Sequence, residues 1–108
     1  MMITEAMVRE MGNMRYVAFN PGPYLLAFGI IKDELFHYTA VMFDYKSVMS
    51  KGRDHAMVVR PVVGHVVEAL EMQDQMVDTM LRNPPKDKQA QEMSVSDEGK
   101  LVPLNPAV

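Results

Sequence analysis

The sequence predicts an α+β fold, in which a short N-terminal helix precedes an antiparallel meander of three to four strands. One long C-terminal helix packs on this sheet, and an extended C-terminal arm follows the helix. Three observations carry this prediction: a four-residue apolar periodicity near the N-terminus, β-favouring runs divided by turn residues, and a second helical periodicity from Pro61 to about Arg82.

The first helix is predicted over Thr4 to Met11. Apolar side chains recur one helical turn apart at Ile3, Met7 and Met11. Thr4 can cap the first turn, and Gly12 can end the helix in the left-handed conformation. Because the helix is short, it needs a surface to lie on.

Strands are predicted at Arg15 to Phe19, Tyr24 to Ile31 and Leu35 to Tyr45, with a fourth short strand over His55 to Val59. The second and third strands carry large apolar side chains at both odd and even positions. An antiparallel sheet with one solvated face alternates more cleanly. We therefore expect helices on both faces of the sheet, or a second subunit on one of them.

The first two strands are separated by Asn-Pro-Gly-Pro at positions 20–23. This tetrapeptide resembles the end of the viral peptides that make a ribosome skip a peptide bond, but those peptides carry acidic residues two and four positions before the asparagine. Ala18 and Tyr16 stand at those positions in this chain. The residues predict a turn instead, in which Pro21 presets φ and Gly22 supplies a positive φ.

The long helix is predicted to begin at Pro61 and to end before Asn83-Pro84-Pro85. Its apolar stripe comprises Val63, Val66, Leu70, Val77 and Met80, and we expect the first four of these to be buried. Gln73 interrupts that stripe. Two interpretations follow: the helix pairs with its symmetry mate and uses Gln73 to set the register, or it lies on the sheet.

The domain organisation predicted from composition is a single α+β domain over residues 1–83, followed by a flexible or partner-docked arm over residues 84–108. The stretch from Lys86 to Lys100 is polar and has few apolar residues. The chain then returns to apolar residues from Leu101 to Val108, where prolines restrict the backbone. We expect this last segment to dock on a neighbouring subunit.

Composition excludes several classes of function. The 108 residues carry a net charge of −3 and contain no cysteine, so disulfides, thiolate zinc sites and cysteine nucleophiles are excluded. An acidic chain without a basic face is not expected to bind nucleic acid. The longest apolar run, Pro23 to Ile31, is far shorter than the roughly 20 residues of a membrane span. We expect no membrane association and a location in the cytoplasm or within a viral particle.

No residue pattern predicts catalysis, a cofactor or a metal. The histidines His37, His55 and His65 lack the spacing of a helical metal pair. Methionine is abundant, with 12 residues, and Met72, Met76 and Met80 are one helical turn apart. Thioethers at this spacing could hold cuprous ion, but packing in a core or at a partner surface is the favoured interpretation.

These observations favour a non-enzymatic interaction or assembly protein, a subunit of a homo-oligomer or of a larger complex. Small acidic proteins of this kind are frequent among viral and mobile-element accessory products. The residues expected to contact protein partners are Leu70, Met72, Met76, Val77, Met80, Leu101, Val102, Leu104 and Val108.

Two alternatives stay open. A small-molecule-binding or catalytic domain would have its pocket between the sheet and the long helix, around His37 and His65. An inhibitor that mimics nucleic acid would use the acidic face of the long helix, which comprises Glu68, Glu71, Asp74 and Asp78.

Overall fold

The computed structural model describes residues 5–22, 24–32, 37–45, 56–60 and 65–104. The elements described, in chain order, are α1 (Glu5–Glu10), β1 (Gly12–Asn20), β2 (Tyr24–Lys32), β3 (Tyr38–Asp44), β4 (Ala56–Arg60), α2 (Val66–Arg82), β5 (Gln89–Val95) and β6 (Leu101–Pro103). The strands form one six-stranded sheet with the order β4-β3-β2-β1-β5-β6, and each neighbouring pair is antiparallel. The predicted α+β class is confirmed.

The predicted meander and its first turn are confirmed. Strands β1, β2 and β3 pair in succession, and β4 extends the sheet beside β3. Between β1 and β2 the chain turns at Pro21 and Gly22, after a cis peptide bond between Asn20 and Pro21. Gly22 has a φ of +104°, a conformation that glycine adopts without a steric penalty. The positive φ predicted for Gly22 is therefore confirmed.

Helix α2 connects β4, at one edge of the sheet, to β5, which pairs with β1 on the far side. It crosses one face and contacts β1, β2, β3 and β5. The apolar cluster beneath it is built from Val17, Phe19, Leu26, Phe28, Ala40, Met42, Met76 and Val77. The opposite face has its own buried cluster, to which α1 contributes: Val8, Met11, Ala27, Val41 and Phe43. Both faces of the central strands are thus buried, as their apolar pattern predicted, and each carries a helix.

Gly29 in β2 allows the end of α1 and the start of β1 to approach the sheet closely. A Cβ atom at this position would lie 2.5 Å from Met11 Sδ and 2.8 Å from Met14 Sδ. Both distances are shorter than carbon and sulfur atoms tolerate without bonding. The two thioethers therefore occupy the space that any larger residue at position 29 would require.

The predicted C-terminal arm is wrong. Residues 89–103 form β5 and β6, and five residues of β5 pair with β1 from Tyr16↔Met93 to Asn20↔Gln89. The polar composition of this stretch misled the prediction, because strands near a sheet margin can keep polar side chains half exposed while the backbone makes ladder hydrogen bonds. The four residues that follow Leu104, including Val108, lie outside the described part of the chain.

The predicted orientation of the long helix is wrong in part. The buried residues of α2 are Ala69, Gln73, Met76 and Val77. Val77 is buried as predicted, but Val66 is 39% exposed and Leu70 is only partly buried. Met80 packs at the margin of the core, and Val63 lies outside the described residues. The helix is turned so that Gln73, which interrupts the apolar stripe, faces the sheet.

Candidate functional site

Gln73 is fully buried, and its side chain forms hydrogen bonds with β1 at an irregularity in the pairing of that strand. The pairing of β1 with β2 shifts register between Gly12 and Arg15, and Asn13 has a φ of +52° there. Gln73 Nε2 donates to the carbonyl oxygens of Asn13, at 2.6 Å, and Phe28, at 3.2 Å. Its Oε1 atom accepts a hydrogen bond from Asn13 Nδ2. A buried amide with three hydrogen bonds fixes the position of the helix on the sheet.

Arg15 forms a second polar link, between α2 and β5. Its Nε and Nη2 atoms donate to the two carboxylate oxygens of Glu92 at 2.9 and 3.0 Å, and Nη1 donates to Asp74 Oδ1 at 2.5 Å. The hydrogen bonds to Glu92 raise the pKa of Arg15 above its usual value, and the charge of Asp74 adds to the effect. Asp74 is one of the four acidic residues of the helix face, so part of that face is engaged within the chain.

The C-terminal strands display large apolar side chains to solvent. Val95, Leu101, Val102 and Leu104 are 38% to 51% exposed, and we call these four residues the hairpin surface. Val95 and Leu101 are directly opposite each other across β5 and β6, so they share one face of the hairpin. Val102 lies opposite Ser94, on the other face. The hairpin is therefore apolar on both sides.

The outer edge of β6 is poorly suited to receive another strand. Leu104 N–H donates to the Glu92 carbonyl, and Ser96 N–H donates to the Lys100 carbonyl. Because hydrogen-bonded pairs alternate in an antiparallel ladder, Val102 also points its backbone groups towards β5, whereas Leu101 and Pro103 point theirs outward. Proline has no N–H, so only Leu101 offers an outward donor. A partner of this hairpin would contact its side chains more than its backbone.

A cleft of about 510 Å³ adjoins the hairpin surface. It opens where β1 and β5 stop pairing beyond Tyr16 and Met93, although both strands continue. Its lining comprises Met14, Arg15, Tyr16, Glu92, Met93, Ser94, Val95 and Leu104. Burial raises the pKa of the Tyr16 phenol, and nearby Tyr45, whose ring packs edge-on against that of Tyr16, adds a smaller effect.

A second opening, the methionine groove, lies between α2 and β3 and has a volume of about 230 Å³. Its lining comprises Met42, Met72, Gln75, Met76, Thr79 and Met80. The one-turn spacing seen in the sequence therefore does place three methionines of α2 in one groove. The fourth comes from β3.

A third opening, the helix-start groove, lies between the first turn of α2 and the sheet and has a volume of about 440 Å³. Its lining comprises Glu10, Gly12, Asn13, Ile30, Lys32, Tyr38, Val66 and Leu70. His37 and His65 are adjacent in the chain to Tyr38 and Val66, but neither histidine belongs to that lining. The groove lies where the alternative hypothesis predicted a pocket, without the histidines at its wall.

The structure distributes the predicted interaction residues over several environments. Leu70 lines the helix-start groove, Met72, Met76 and Met80 line the methionine groove, and Val77 is fully buried in the core. The hairpin surface holds Leu101, Val102 and Leu104. Sequence reasoning missed Val95, which stands alone in a polar stretch and becomes notable only through its pairing with Leu101. It also missed Asn13, and it considered Gln73 only as a residue that sets the register with a symmetry mate, whereas the contact of Gln73 with Asn13 joins residues 60 positions apart.

Within the described residues, no group of three or more His, Asp or Glu side chains is placed to hold a metal ion. No helix in the same part of the chain is long and apolar enough to span a membrane. Comparison of the chain with protein-family models, with curated proteins and with solved structures finds no match.

Proposed function

We propose that this chain is a non-enzymatic assembly protein that forms a homo-oligomer through the hairpin surface and the adjoining cleft. The observation that supports the proposal is the exposure of four large apolar side chains on one short hairpin. Clusters of exposed apolar side chains on soluble proteins are often sites of protein contact. Burying them in an interface contributes roughly 25 cal/mol per Å² of apolar area removed from water.

The form of the surface favours side-chain packing between copies. The hairpin projects apolar groups from both faces, and its edge has one outward N–H donor, at Leu101. The cleft beside it is lined by apolar residues such as Met14, Met93 and Leu104 and also by the charged residues Arg15 and Glu92. The hairpin surface and the cleft share Val95 and Leu104, so they form one continuous surface that can meet the same surface of a second copy in a two-fold contact.

The experiment is a mass measurement by size exclusion with light scattering, over a range of protein concentrations. The full chain is expected to exceed its monomer mass of 12.2 kDa. The paired substitution Val95→Asp and Leu101→Asp places a carboxylate on each of two neighbouring strands, and it is expected to reduce the mass to the monomer.

The matched control is Val67→Asp, because Val67 is 57% exposed and lies in the first turn of α2, where an acidic residue is compatible with the helix dipole. This control is expected to retain the oligomer, and circular dichroism verifies that both variants fold. A paired variant that assembles as well as the wild type would contradict the assignment of the hairpin.

A second candidate function is small-molecule binding in the helix-start groove. Its support is the volume of about 440 Å³, which falls within the range of known ligand pockets, and the mixture of Ile30 and Leu70 with the polar groups of Lys32 and Tyr38. Leu70→Trp would fill the groove. A fluorescent apolar probe is expected to bind the wild type. If Leu70→Trp abolishes that binding while the oligomer persists, the result supports small-molecule binding in the helix-start groove.

A further inference from the structure

We propose that the methionine groove binds a soft monovalent cation, Cu(I), through the thioether sulfurs of Met42, Met72, Met76 and Met80. This site is separate from the hairpin surface and does not depend on the assembly proposed above. The sequence alone shows three of the four methionines, on one helix, and favours core packing for them. The fold adds the fourth sulfur and an opening.

The placement of the four side chains follows from the two elements that carry them. Residues four apart on a helix lie on one face, so Met72, Met76 and Met80 form a row along α2. Met42 projects from β3 on the sheet face that α2 covers. All four line one groove of about 230 Å³, a volume sufficient for a single ion.

The burial of the four methionines is graded. Met42 and Met76 are buried in the core, whereas Met72 and Met80 are partly exposed. Two donors are therefore held by packing, and two lie at an opening through which an ion can enter. A methionine has three rotatable side-chain bonds, so the outer pair can adjust to close on the ion.

The chemistry of the lining selects the ion. Thioethers are soft donors that suit Cu(I), whereas Mg²⁺ and Ca²⁺ require oxygen ligands and Zn²⁺ prefers nitrogen or thiolate. The remaining lining residues, Gln75 and Thr79, are uncharged, and the Thr79 hydroxyl donates to the Gln75 carbonyl within the helix. A neutral lining favours a monovalent ion over a divalent one, because the charge left uncompensated at a half-buried site is smaller.

Thioether coordination also predicts how binding depends on pH. A methionine sulfur carries no proton to release, unlike the thiol or imidazole ligands of common metal sites. The chain has no cysteine that could compete as a thiolate. Affinity for the ion is therefore expected to be constant across the range in which histidines titrate.

The test uses Ag⁺ as a redox-inert probe and Cu(I) buffered by a chromogenic chelator without oxygen, both with the full chain. One equivalent is expected to bind, with no binding of Zn²⁺ at the same concentration. The methyl resonances of Met42, Met72, Met76 and Met80 are expected to shift together on the first equivalent of Ag⁺. Those of other methionines, such as Met93, are expected to stay in place.

The decisive variant is Met72→Leu with Met80→Leu, which preserves volume and apolar character and so is expected to leave the fold intact. It is expected to abolish stoichiometric binding, whereas the control Met11→Leu, on the opposite face of the sheet, is expected to retain it. If the double variant unfolds, the methyl shifts of the wild type on addition of Ag⁺ test the proposal instead. Absence of binding, unchanged binding in the folded double variant, or methyl shifts elsewhere would each overturn the proposal.

Discussion

The substitution Gln73→Leu tests the hydrogen bonds that Gln73 makes between α2 and the sheet. Leucine has nearly the volume of glutamine and suits a helix, so the change removes hydrogen bonds without leaving a large cavity. The wild-type amide donates to the carbonyls of Asn13 and Phe28 and accepts from the Asn13 side chain. The Phe28 carbonyl is buried and cannot turn to water, whereas Asn13 is exposed and can regain hydrogen bonds with water.

The expected cost follows from that count of three hydrogen bonds. Each contributes a net ~1 kcal/mol, and the groups left behind pay part of their desolvation, so the free energy of unfolding should fall by about 3 kcal/mol. For a domain of this size the midpoint of thermal unfolding should fall by more than about 10 °C.

The assay is urea and thermal unfolding followed by circular dichroism. Gln75→Leu is the matched control, since it makes the same chemical change at an exposed position of the same helix and should alter stability by less than about 0.5 kcal/mol. A cycle with Asn13→Gly, which keeps the positive φ of +52° accessible, should give a coupling of about 1 kcal/mol. If Gln73→Leu proves as stable as the wild type, the helix is not held in this orientation.

Further predictions concern the two cores and the pH dependence. Gly29→Ala should cost about 1–3 kcal/mol, because its Cβ would meet two methionine sulfurs, while Gly12→Ala has open space and should change the denaturation midpoint little. The pKa of the Tyr16 phenol is raised in the folded protein, so the unfolded chain ionises first and stability should decline above pH ~10. Tyr16→Phe should make that decline shallower, and an unchanged pH profile of stability would be contrary evidence. Met76→Ala should cost about 2–5 kcal/mol and Leu70→Ala less, so the reverse order by urea unfolding would restore the orientation read from the sequence.

Local sequence signals predicted the parts of the fold that local chemistry determines. The turn at Pro21 and Gly22, the strands around it and the end of α2 before Asn83 follow from residues close together in the chain. The two-sided apolar pattern of β2 and β3 also predicted that both sheet faces are covered. These features need no knowledge of distant contacts.

The parts that failed depend on contacts between distant residues. Gln73 reads as a polar interruption until the irregularity at Asn13 supplies its partners. The stretch from Gln89 to Val95 reads as a flexible arm until β1 supplies a ladder and Arg15 binds Glu92. The methionine groove shows the same difference. The spacing of its three helical methionines was visible in the sequence, whereas the groove itself and the fourth methionine were not.

Crosslinking between isotopically light and heavy copies of the chain tests the proposed assembly most directly. Lys100 immediately precedes β6 and is exposed. Lys86 is also exposed but is remote from the hairpin in sequence, so it serves as the comparison. After the two preparations are mixed and treated with a short lysine-specific reagent, mixed-isotope crosslinks are expected to involve Lys100 and to disappear in the variant with Val95→Asp and Leu101→Asp. Mixed crosslinks that spare Lys100, or their complete absence at concentrations well above those of the mass measurement, would contradict the account.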